Sequence, residues 1–171
     1  MAEPNTVYRI TMLAMLDKVD FPLSNTQISN FFLEKDYTDY FTIQQVLSGL
    51  LESGLIREED WYNSTRYTIT KEGRETLTLL SDKLNEDILE DLKDFFQKNK
   101  IQYRNDNSVS SNYYKSMPTG FDVRCQLKEK DTAILDITLH VMDVTQAKAI
   151  CENWQTNYMD VYSYLADTLI R

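Results

Sequence analysis

Tyr40, Thr42, Gln44, Gln45 and Ser48 place amide and hydroxyl side chains at spacings that share one side of a helix. A glutamine amide can bond adenine through both its ends, and Ser or Thr can bond bases or phosphates. That face is therefore able to read base edges, although a solvated polar face has the same composition. Asn63, Ser64 and Arg66 follow in a second polar group, where a guanidinium could meet a phosphate. Trp61 and Tyr62 stand just before them and suit the anchoring of a protein partner. His140 is the one histidine, and on a polar strand face near Asp122 and Asp136 it reads as inert more readily than as a base. There is no glycine-rich phosphate loop, and Cys125 and Cys151 lack metal-site spacing. No catalytic residue, metal or cofactor is expected.

These groups need elements to hold them. Val7, Ile10, Leu13, Ala14 and Leu16 mark a first helix after Pro4. Ser24 with Gln27 has the spacing of a capping box and opens a second, with Ile28, Phe31 and Phe32 inward. Ile43, Val46, Leu47, Leu50 and Leu51 line a third, which Gly54 ends. Two short strands from Leu55 to Ile69 form a hairpin turning at "YNST", and Thr70 caps the helix after it. Its apolar positions, Leu77, Leu80, Leu84, Ile88, Leu92 and Phe95, are near-heptad, with a break near Ser81 to Asn85 left open. The polar stretch "NDNSVSSN", residues 105–112, is the expected boundary. Beyond it, Phe121 to Leu127 and Leu135 to Val141 alternate as half-buried strands around a turn at "EKDT", with "SSNYYKS" a weaker third. Asp143 caps a last helix whose stripe runs Val144, Ala147, Cys151, Trp154, Tyr158, Val161 and Leu165.

Three helices, a hairpin and a following helix are the parts of a winged helix-turn-helix. The segments "LLESGLI" and "RYTITKEGRETL" resemble the third helix and wing of the PadR and MarR classes of bacterial regulators, through Leu50, Leu51, Gly54, Leu55, Ile56, Arg66, Tyr67, Thr70, Gly73 and Leu77. That resemblance spans roughly residues 5–80 and implies the fold without a target. The second half, from "NYYKSMPTGFDVRCQL" to "AKAICENW", resembles a bacterial winged-helix family catalogued as a domain of unknown function. It implies a dimeric regulator of transcription in the cytoplasm.

The expected architecture is α+β: a winged helix-turn-helix over 1–81, a linking helix over 82–104, and a small antiparallel sheet packed against a long C-terminal helix over 105–171, for dimerisation or sensing. The expected partner is duplex DNA, bound by a homodimer; the alternative is a protein-interaction module that binds no DNA. Charge favours the alternative. The chain carries −9, and residues 1–81 hold 7 Lys and Arg against 12 Asp and Glu, net −5, where a phosphate surface calls for cations. Arg9, Arg66, Lys71 and Arg74 are the basic side chains able to cluster with the acids facing away. No membrane span or signal peptide is expected.

Overall fold

The computed structural model describes residues 4–61, 64–129 and 132–170. Tyr62, Asn63, Lys130 and Asp131, at the two expected hairpin turns, lie outside the described residues. The protein is a mixed α+β chain; the described residues form six α-helices, the last of them long and C-terminal, and two three-stranded sheets. It divides into two compact units that meet in sequence at Arg104 and Asn105.

In the first unit, α1 (Pro4–Lys18) is the central helix. Every residue from Ile10 to Leu16 is buried, so it is covered all round and not on one face only. Thr11 tolerates this because its hydroxyl donates to the Val7 carbonyl at 2.7 Å. A two-residue strand, β1 (Leu23–Ser24), leads into α2 (Asn25–Glu34). The Ser24 and Gln27 capping box forms as the spacing predicts: Gln27 N donates to Ser24 Oγ at 3.1 Å and Ser24 N to Gln27 Oε1 at 2.9 Å. Helix α3 (Tyr40–Glu52) is capped by Asp39 and buries Ile43, Val46, Leu47 and Leu50. Gly54 follows it at φ +72°, the left-handed conformation that ends a helix.

β2 (Ile56–Trp61) and β3 (Ser64–Ile69) come next, and the sheet order is β1-β3-β2. β1 pairs antiparallel with β3, setting Leu23 opposite Tyr67 and Ser24 opposite Arg66. Thr70 caps α4 (Lys71–Leu80). The long near-heptad stripe is not one helix: α4 ends, a 3-10 turn spans Ser81–Lys83, and α5 (Glu86–Ser108) starts afresh with Ile88 N donating to Asn85 Oδ1 at 2.9 Å. Leu84, Ile88, Leu92, Phe95, Phe96 and Tyr103 lie in the first unit's own core. Residues up to 104, expected as a link, are thus part of that unit. Phe31 stands at its centre, edge-on to Phe32 and Phe95 and stacked with Tyr37. The stretch 105–112, expected as the boundary, holds the end of α5 at Ser108 and the start of a strand at Val109.

In the second unit, β4 (Val109–Lys115), β5 (Phe121–Glu129) and β6 (Thr132–Val141) form an antiparallel sheet in that order. Helix α6 (Val144–Leu169) packs on the face carrying Val123, Cys125 and Leu127, and buries Ala147, Cys151 and Trp154 against it. The Trp154 indole donates to the Gln126 carbonyl at 3.2 Å. Both cysteines are buried and free, and burial pushes the Cys125 thiol up to about 12. Among the described residues no helix is long and apolar enough to cross a membrane.

Candidate nucleic-acid interface

The outward face of α3 is set by what its inner face must bury. With Ile43, Val46, Leu47 and Leu50 in the core, the remaining positions open onto a shallow groove lined by Phe41, Gln44, Gln45, Ser48, Gly49 and Glu52. Gln45 and Ser48 are exposed, and Tyr40 keeps 55 % of its surface. Thr42 is half-buried, and its amide donates to Asp39 Oδ1 at 2.8 Å. That bond holds the Asp39 carboxyl below the usual carboxylate range.

Gln44 is less available. Its amide nitrogen donates to Asn25 Oδ1 at 2.9 Å, and Asn25 Nδ2 donates back to Gln44 Oε1 at 2.7 Å. Ser29 Oγ also donates to Asn25 Oδ1, at 3.1 Å. The helix pair α2 and α3 is thereby clasped by a closed amide ring.

Sequence reasoning expected Arg66 at the surface beside a phosphate. The structure buries it to 9 % exposure. Its Nε donates to Ser64 Oγ at 3.1 Å and its Nη1 to Gln27 Oε1 at 3.3 Å. Gln27 is the capping-box residue, so Arg66 ties β3 to the start of α2. Ser64 is half-buried in the same contact. Asn63 and Tyr62 lie outside the described residues, and Trp61 is half-buried at the end of β2.

Of the other cations expected to gather, Arg74 pairs with Asp17 at 3.4 Å and Lys71 is exposed; Arg57, outside that group, is exposed on β2. Arg9 is the residue whose role the sequence does not reveal. It lies on α1, yet a Cβ built on Gly49 would meet its guanidinium at 3.4 Å. One positive charge therefore rests against the C-terminal half of α3, a helix that itself carries no Lys or Arg. Against it stand Glu52 in the groove and the exposed Glu58, Glu59 and Asp60 on β2. Phe41 was also missed: it keeps 70 % of its surface at the start of the face, and its position off the Ile43 stripe gives this away.

In the second unit, His140 Nδ1 sits 2.9 Å from Asp122 Oδ1, and Arg124 holds Asp136 through Nε at 2.9 Å and Nη2 at 2.6 Å. All four are surface side chains on the sheet face away from α6. Among the described residues no group of His, Cys, Asp and Glu is arranged to hold a metal.

The family model described as "Domain of unknown function (DUF4364)" matches residues 8–169. The chain belongs to that family. No curated protein and no solved structure matches it.

Proposed function

We propose that the first unit is a winged helix-turn-helix and that the protein is a homodimeric, DNA-binding regulator of transcription in the cytoplasm. The observation that supports this best is the path of the chain. Helix, strand, helix, helix, strand, strand, with the short first strand pairing the last, is the order in which a winged helix presents its third helix to a major groove. Among the side chains that face out on that helix are ones that hydrogen-bond base edges: Gln45 and Ser48, with Thr42 at the margin. Gln44 acts by holding α3 in place through Asn25. Phosphate contact falls to Arg9, Arg57 and Lys71, because Arg66 is buried.

Few cations mean a weak sequence-independent component, so selectivity would come from the amide and hydroxyl face. Fluorescence anisotropy against mixed-sequence duplexes at about 50 mM salt, then at higher salt, tests this. The expected result is salt-sensitive binding that Arg9→Ala weakens on every sequence, lowering the salt slope by about 1. Gln45→Ala should instead change which sequences are preferred. A folded protein that binds no duplex at low salt overturns the reading.

The second reading, a protein-interaction module, is favoured by one observation. Phe41 and Tyr40 keep 70 % and 55 % of their surface beside a helix face without cations. Exposed aromatics of this kind are favoured interface anchors. A photo-crosslinker at position 41 would then capture protein and no duplex.

A further inference from the structure

The edge strand β6 carries a pattern that reads the same from either end. β5 lies along one side of it, and among the described residues no strand lies along the other. It is ten residues long, without the proline or inward charge that usually blunts an edge. Its α6-facing side is apolar throughout: Leu135, Ile137, Leu139 and Val141, opposite Leu127, Cys125, Val123 and Phe121 of β5. Yet α6 covers it thinly, and Leu139 keeps 46 % of its surface; Ile134, at the bulge, and Met142, just past the strand, keep 41 % and 63 % at the two ends. The opposite side carries Asp136, Thr138 and His140.

We infer that β6 is a homodimer seam, in which two copies of this chain pair antiparallel, edge to edge, with the twofold axis at Thr138. This rests on the homodimer reading above and gives it a surface and a register. Antiparallel pairing that keeps the apolar sides together is limited to registers centred on a residue. Centring on Asp136 sets that carboxylate against its own copy, and like charges directly opposite are unfavourable; centring on His140 runs Asp136 past the end of the partner strand. Centring on Ile137 or Leu139 leaves Asp136 without an opposite charge. Centring on Thr138 places Asp136 opposite the partner's His140, and His140 opposite the partner's Asp136. It also sets Leu135 opposite the partner's Val141 and Ile137 opposite the partner's Leu139, and brings Ile134 and the partner's Met142 to the two ends. Each group is already steadied within its own sheet, Asp136 by Arg124 and His140 by Asp122. The pairing would therefore link four polar groups in a row, Arg124, Asp136, then the partner's His140 and the partner's Asp122, on each side of the axis. The outcome is one six-stranded sheet with both α6 helices on the same face.

Light scattering and sedimentation of the full chain test this with Thr138, an exposed side chain at the axis. The wild type should be a dimer. Thr138→Lys and Thr138→Glu should each run as folded monomers by circular dichroism, and mixing the two should restore a dimer containing one of each. Thr138→Cys should crosslink to itself under mild oxidation, while Asp136→Cys and His140→Cys should crosslink to one another and not to themselves. A monomeric wild type overturns both the homodimer reading and this seam. A dimeric wild type whose Thr138→Lys variant stays dimeric overturns the seam alone. Self-crosslinking at 136 or 140 without it at 138 overturns the register.

Discussion

Asn25 and Gln44 exchange hydrogen bonds through their side-chain amides, each donating to the other, at 2.7 and 2.9 Å. A reciprocal amide pair is satisfied only while both members are present. Removing Gln44 leaves the half-buried Asn25 amide short of a partner, and removing both leaves neither. The single variants Asn25→Ala and Gln44→Ala should each cost about 1 kcal/mol, with a coupling of about 1 kcal/mol in the double-mutant cycle. Urea unfolding measures it, and strictly additive losses would show that the pair is not coupled.

Arg66 gives the sharpest contrast between a fold residue and a surface one. Arg66→Ala removes the guanidinium's bonds to Ser64 Oγ and Gln27 Oε1, the latter still accepting from Ser24 N, and should destabilise the chain by about 1–3 kcal/mol. Arg66→Lys keeps the charge but loses the planar fork, so it should recover only part of the loss. The salt slope of duplex binding should stay unchanged in an Arg66→Gln protein, which removes the charge. A lowered slope with unchanged urea midpoint would instead return Arg66 to the phosphate role.

Asp39 links the start of α3 to pH. Its carboxyl is held low chiefly by the Thr42 amide, so its folded value lies beneath its unfolded one. The stability it supplies is present above the unfolded value of about 3.9 and is lost as pH falls through the folded one. Asp39→Asn keeps a neutral cap and should flatten this part of the acid limb while leaving the neutral-pH structure intact. An acid-unfolding curve superimposable on the wild type would contradict the assignment.

Two glycines should respond differently to the same methyl group. At Gly73 an added Cβ would lie 2.1 Å from the Leu55 carbonyl oxygen, a backbone atom that cannot swing aside. Gly73→Ala should cost about 3 kcal/mol or more. At Gly54 the space is open but φ is +72°, so Gly54→Ala should cost only about 1–2 kcal/mol. Thermal melts of the two variants should be clearly separated.

Much of this was legible because it is local. The 3.6-residue stripe of α3 and the alternation of β5 and β6 can be counted along the chain, and the Ser24–Gln27 box is a spacing of three. What was hidden depends on residues distant in sequence. β1 is two residues long and has no period to detect. Arg66 reads as a surface cation by its type, and its burial follows from β1 and the capping box closing over it. Arg9 reaches α3 only because α1 passes beside Gly49. The break at Ser81–Lys83 stayed open in the sequence because Leu80 and Leu84 keep the heptad phase across the 3-10 turn.

The Ser24–Gln27 box and the Arg66 bond on it are separated by scale. The box closes over three residues, and Arg66 reaches it over thirty-nine. A contact of the first kind is open to a growing chain almost as soon as its residues exist, while one of the second must wait for loop closure. The expected order is that the starting turn of α2 forms first and the guanidinium fastens it afterwards. Substitutions at Arg66 should then speed unfolding and leave the folding rate nearly untouched, whereas those at Ser24 should slow folding itself.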